Sequence, residues 1–214
     1  MVLRLTSLSL SSLLWVSMTW AGNTVFVNQS GNNVVINIEQ IGDGNSVTGQ
    51  NGTPVQLHGD NNTALVKQGA GNQHSGDSTL MLNVLGDDNY MDANQENGHW
   101  LDVLVLGVDN NVTVTQQESP NKAAIIDATG DLNAVVINQK GTGMMSTTVN
   151  LTGNGHTVNV VQDGTGNHAA NISAHNAGGS SNIILDQNGN TNKSYSIDQY
   201  CANPMGCGVS IQQY

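Results

Sequence analysis

Four kinds of side chain in this chain could do chemistry, and their spacing decides which kind. Six histidines stand at His58, His74, His99, His156, His168 and His175. His156 and His168 flank one stretch of strand and could share a metal, but His156 also occupies a position that its sequence neighbours fill with asparagine, and such a position needs no metal. The glutamates Glu39, Glu96 and Glu118 are dispersed, so no nucleophile, base and orienting group can be assembled from them. Corners of the form Gly-Asp-x-Asn could hold calcium, yet the glycine-rich calcium nonapeptide is absent. The remaining chemistry is that of the amide. Gln116, Gln139 and Gln162 stand 23 residues apart. A carboxamide donates and accepts at once, so identical amides on neighbouring strands can bond along a column. The reading at this level is a chain with no catalytic residue, cofactor or metal, and with structural amides.

A fixed step of this length is the mark of a stacked array, in which each unit buries its surface only against the next. Gly107, Gly130 and Gly153 keep the same step, as do Asn110, Asn133 and His156. Gly42 and Gly164 open further corners of the type Gly-x-x-Asn, which read as tight turns because Gly and Asn tolerate left-handed backbone angles. Successive corners at Asn110, Asn121, Asn133, Met144, His156 and Asn167 are alternately 11 and 12 residues apart. One repeat is therefore strand, turn, strand, turn.

Strand side chains alternate, so an inward Asn110 places Val112, Val114 and Gln116 inward. Val135 and Val158 follow one and two repeats later. In the other half-repeat the corresponding column is apolar: Val105, Ala128, Leu151 and Ala174. Ala124, Ile126, Val149 and Ile172 share its face. The fold expected is all-β, a two-sheet β-solenoid of about 23 residues per turn and seven to eight turns, with a glutamine ladder in one sheet and an apolar ladder in the other. Order weakens at residues 46–58, where Pro54 interrupts, at an inserted loop over 73–79, and beyond 175, where Gln187, Gln199 and Gln212 step by 12 and 13.

Composition narrows the function. Only 10% of residues are charged and 4% aromatic, and the net charge is −11. Five basic residues are too few for a nucleic-acid or anionic-membrane surface. Residues 1–21 read as a signal peptide: a positive start at Arg4, an apolar serine-rich run, and small residues before a cleavage site after Ala21. The alternative, a membrane anchor, asks for a longer apolar run, and no later segment is long enough to span. Residues 22–199 form the repeat region. Residues 200–214 form a tail whose close pair Cys201 and Cys207 reads as a disulfide in an exported chain; the alternative is a redox or metal pair.

The unit Gln-x-Gly-x-x-Asn, followed by an alternating strand and another Gln, resembles the curlin repeat of bacterial curli subunits. The residues that carry it are Gln29/Gly31, Gln40/Gly42/Asn45, Gln139/Gly141, Gln162/Gly164/Asn167 and Gln187/Gly189/Asn192. The resemblance implies an extracellular amyloid subunit that is exported through an outer-membrane secretion pore, meets a nucleator subunit, and polymerises with itself into a pilus-like fibre for adhesion and biofilm cohesion. Which subunit of such a fibre it would be, major, minor or nucleating, stays open at this level. A soluble solenoid that binds a surface, as an adhesin or an ice-binding protein, is the alternative. The chain departs from the family in the half-repeats that lack Gln, in Glu118 at a corner glycine position, and in the cysteine-bearing tail. Asp43, Asp60, Asp87, Asp131 and Asp163 at corners act as charges that slow uncontrolled aggregation.

Overall fold

The computed structural model describes residues 2–5, 13–18, 22–69, 77–119, 121–175 and 178–214. The expected cleavage site at Ala21, and most of the inserted loop at 73–79, lie outside the described residues. All regular structure among the described residues is β, apart from one 3-10 turn at Gln50–Gly52. The strands form two sheets, of ten and nine strands, and every pairing is parallel. The chain passes from one sheet to the other at each corner, so neighbours within a sheet are one full turn apart: a β-solenoid of about eight turns and about 24 residues per turn. Parallel strands buried on one face and separated by glycine corners are what the alternating pattern dictates.

Register is continuous through the middle of the stack. In the nine-stranded sheet Asn111–Gln116 lies on Ala134–Gln139, which lies on Thr157–Asp163, with Val112, Val135 and Val158 in one column. In the ten-stranded sheet Trp100–Leu106 lies on Lys122–Thr129, with Val105 opposite Ala128. Val112, Val114, Val135, Val158, Ala124, Ile126, Val149, Ile172 and Ala174 are all buried in one hydrophobic core. Each Val or Ile removed from water contributes roughly 1.5–3 kcal/mol, and no aromatic residue is needed to fill the narrow space between the sheets.

Two departures from a uniform repeat stand out. Residues 46–58 remain within a single rung. Ser46–Thr48 and Val55–His58 both lie between Thr24–Ser30 and Thr79–Leu85, and the residues between them are extruded. Gly49 N–H donates to the Thr53 carbonyl at 2.7 Å, and the Thr53 hydroxyl donates to the Gln50 carbonyl at 2.7 Å. The Asn83 side chain of the next rung caps the gap by accepting from Gln56 N–H at 3.2 Å. The second departure follows Met145–Thr148, a strand of only four residues. Asn150, Leu151 and Thr152 there all have positive φ. Leu151 still points inward and is fully buried, so the column survives where the strand does not.

The segment beyond residue 199 carries one more rung. Cys207–Gln213 pairs in parallel with Ser181–Asn188, with Gln213, and not Gln212, opposite Gln187. The sequence spacing of Gln212 thus misses the register by one residue, because the corner before Cys207 is longer. At the other end Val2–Leu5 pairs with Thr24–Ser30, and Leu13–Met18 with Val35–Gln40. No helix among the described residues is long and apolar enough to cross a membrane.

Candidate functional site

The amides form one continuous ladder. Gln40 Nε2 donates to Gln68 Oε1 at 2.9 Å, Gln68 to Gln95 at 3.0 Å and Gln95 to Gln116 at 3.0 Å. Gln116 then donates to Gln139 at 2.8 Å, Gln139 to Gln162 at 2.9 Å and Gln162 to Gln187 at 2.8 Å. All seven side chains are fully buried. Each amide nitrogen spends a second hydrogen across the corner on the facing sheet. Gln116 reaches the Trp100 carbonyl, Gln139 the Ala123 carbonyl and Gln162 the Ser146 carbonyl, at 3.2, 2.9 and 3.1 Å. The ladder therefore ties rung to rung and sheet to sheet. A buried amide so satisfied contributes about 1 kcal/mol per bond, and costs more than that when a partner is lost.

A second column runs along the opposite corner. Asn110 N–H donates to Asn89 Oδ1, Asn133 N–H to Asn110 Oδ1 and His156 N–H to Asn133 Oδ1, each at 3.0 Å. Each asparagine also donates upward to the next corner glycine: Asn110 Nδ2 to the Gly130 carbonyl at 2.8 Å and Asn133 Nδ2 to that of Gly153 at 2.9 Å. His156 reproduces both halves of the amide. Its Nδ1 accepts from Ser181 N–H at 3.0 Å, which leaves Nε2 to donate to the Thr152 carbonyl at 2.9 Å. Burial lowers its pKa, the bond to Thr152 opposes that, and His175 lowers it further.

The third column lies one residue beyond the corners at Asn121, Met144 and Asn167. Asn121, Met144 and Asn167 are corner residues, but they are exposed. The inward position is one residue later: Lys122, Met145, His168 and Lys193 occupy successive rungs, below Asn23, Asn45, Ser78 and His99. The signal was available, since an inward Ala124 puts Lys122 inward at two residues' distance. Lys122 is 1% exposed. Its Nζ donates to the Ser119 and Gly141 carbonyls, both at 2.8 Å. Those are the bonds to its own corner and to the next that an asparagine amide makes elsewhere. Burial, only partly offset by Glu118 and Asp163, pushes its pKa down to about 8. His168 Nε2 takes the same role toward the Asp163 carbonyl at 3.0 Å. His99 does not: it is buried, and neither ring nitrogen has a partner among the described residues. Burial, and then the charge of Lys122, push its pKa down to about 3.

A pH dependence follows. Unfolded histidine titrates near 6.5, so a ring held neutral in the fold contributes stability that is complete above about pH 6.5 and is lost as pH falls toward the folded value. The loss runs at up to about 1.4 kcal/mol per pH unit for each group. His99→Asn with His156→Asn, both residues native to their columns, is expected to flatten the acid limb of stability between about pH 6.5 and pH 4. Denaturant midpoints across that range read it out, and an unchanged slope refutes the assignment.

Corner aspartates also bridge rungs. Asp60 Oδ1 accepts from Asn32 N–H at 2.7 Å, Asp87 Oδ1 from Asp60 N–H at 2.7 Å and Asp131 Oδ1 from Val108 N–H at 2.9 Å. Their charge faces water while one oxygen serves the backbone. The turn glycines Gly42, Gly107, Gly130, Gly153 and Gly164 all have positive φ. Cys201 and Cys207 are joined in a disulfide that closes the corner before the last strand. Among the described residues, no group of three or more His, Cys, Asp or Glu side chains is placed to hold a metal. The structure thus brings the glutamines, asparagines and His156 together as columns, and adds Gln68, Gln95 and Lys122 to the residues the sequence singles out. Family models, curated proteins and solved structures offer no match to this chain.

Proposed function

We propose that this chain is a secreted structural subunit of curli-like extracellular amyloid fibres, serving adhesion and biofilm matrix by templated stacking of strands. The observation that carries the reading is the unbroken glutamine ladder in a parallel two-sheet stack whose strands Lys193–Asp198 and Cys207–Gln213 have no neighbour beyond them among the described residues. An open edge of this kind is a row of unpaired backbone groups, and like side chains stacked on like reward another copy for adding to it. Export, a nucleator subunit and an outer-membrane pore belong to the same proposal.

The alternative, a soluble solenoid that binds a surface, asks for a regular outward face. The outward column Leu65, Asp92, Thr113, Val136, Asn159 and Ile184 mixes charge, hydroxyl and hydrocarbon, and offers no ranked threonines for ice. The test is the purified chain from residue 22 at micromolar concentration. Seedable, detergent-resistant fibres in a dye-binding time course are the expected result. A stable monomer by sizing chromatography refutes the fibre reading and favours the soluble one.

A further inference from the structure

On the outer face of the ten-stranded sheet, Ser30 Oγ is hydrogen-bonded to Nδ1 of His58, its register partner on the adjacent strand. His58 Nε2 meets Gln56 Oε1 at 2.7 Å. The Gln56 amide has only one way round. Its nitrogen donates to the Pro54 carbonyl at 3.0 Å, and its oxygen also accepts from Asn28 Nδ2 at 3.1 Å. An amide oxygen cannot donate, so the ring hydrogen lies on His58 Nε2. The neutral ring then carries its lone pair on Nδ1, and the Ser30 hydroxyl is the donor there. A hydroxyl, a base, and a third group that fixes the tautomer of the base make up an activated nucleophile. Sequence spacing hides the set, because Ser30 and His58 stand 28 residues apart. Ser30 is exposed. The same outward column continues past His58 as Leu85 and Leu106, and Leu85 is among the exposed large hydrophobic residues.

We propose that this set is an acyl-transfer site for activated esters of apolar alcohols or phenols, with Ser30 as nucleophile, His58 as general base and Gln56 as the positioning residue. Ser30 Oγ attacks the ester carbonyl while His58 Nδ1 takes its proton. The tetrahedral centre expels the alcohol or phenol oxygen, to which His58 returns that proton. Water then repeats the sequence on the Ser30 ester, releasing the acid and restoring the hydroxyl. A leaving group protonated by His58 lies on the side of His58, where Leu85 and Leu106 give it an apolar surface. The Asn32 N–H, two residues past Ser30, already donates to Asp60 Oδ1 at 2.7 Å, so it is spent before an oxyanion forms. That confines the reaction to esters whose leaving group departs readily, with general-base help of about 10²–10⁴-fold. The site lies within one stack and is independent of the fibre reading.

The test uses the full chain and p-nitrophenyl acetate. Release of p-nitrophenol gives the rate, and peptide mapping after an acid quench locates the acetyl group. Acetyl is expected on Ser30, and Ser30→Ala and His58→Asn are each expected to lower the rate at least tenfold. Gln56→Leu, which cannot hold the ring hydrogen, is expected to lose at least threefold. Gln56→Glu, which keeps an oxygen in that place, is expected to run at least as fast as the unaltered chain, a rescue that a merely structural role would not give. A chain no faster than free imidazole at equal concentration overturns the activity. Acetyl found only on other side chains, or Ser30→Ala at the full rate, overturns the nucleophile. His58→Asn that acetylates Ser30 at the full rate overturns the base, and Gln56→Glu as slow as Gln56→Leu overturns the positioning role.

Discussion

A chain carrying Gly130→Ala is expected to lose about 3 kcal/mol or more of stability, measured as a lower midpoint in denaturant or thermal melts. Two costs meet at this corner. Its φ is +95°, a conformation an L side chain adopts only with strain of about 1–3 kcal/mol. A Cβ there would also sit 2.1 Å from the Gly153 carbonyl oxygen of the next rung. That oxygen is backbone and already accepts from Asn133 Nδ2 at 2.9 Å, so it cannot retreat without breaking the asparagine column. Gly52→Ala separates the two costs. Gly52 has φ +71° but nothing within 4 Å of its would-be Cβ, because it lies in the extruded turn. Its loss is expected to stay near 1–2 kcal/mol, the backbone cost alone. Equal losses at the two sites would show that rung-to-rung contact at the corner costs nothing.

Gln139→Ala is expected to destabilise the stack by about 3–5 kcal/mol. Gln139 is a hub: it accepts from Gln116, and it donates to Gln162, to the Ala123 carbonyl at 2.9 Å and to the Thr147 hydroxyl at 3.3 Å. Truncation strands the Gln116 donor in a dry interior, at about 1–3 kcal/mol, and opens a cavity. The Gln162 oxygen is protected in part, since the Thr147 hydroxyl also donates to it at 2.8 Å. Damage should therefore be lopsided, with amide exchange rising more on the Asn111–Gln116 rung than on the Thr157–Asp163 rung. Gln213→Ala, at the exposed end, is expected to cost under about 0.5 kcal/mol within one chain. Symmetric exchange around residue 139 would contradict the hub.

The middle of the fold is legible in the sequence because its loops are equal in length. From Gln116 to Gln162 the ladder steps by 23 and 23, so a fixed period exposes it. Toward the N-terminus the steps are 28, 27 and 21. The ladder is equally regular in space there, but extruded residues such as Gln50–Gly52 add length without changing register. Gln68 and Gln95 are invisible to a period search because two of these steps are longer than 23 and the third, from Gln95 to Gln116, is shorter. Lys122 is hidden differently. A lysine at a corner reads as a solvated charge, and only strand parity reveals it inside, where its ammonium does the work of an amide. The corner aspartates combine both readings, since their charge stays in water while one oxygen holds the rung before.

The glutamine bonds all run one way, from amide nitrogen to the oxygen of the higher-numbered rung. The asparagine bonds run in reverse, Asn89 Nδ2 to Asn62 Oδ1 and Asn110 Nδ2 to Asn89 Oδ1, each at 3.1 Å. The stack is thus vectorial, with two antiparallel rails. Two stacks meeting by like ends would set nitrogen against nitrogen on one rail and oxygen against oxygen on the other. A filament built from such units has a front and a back, and its two tips must recruit subunits at different rates.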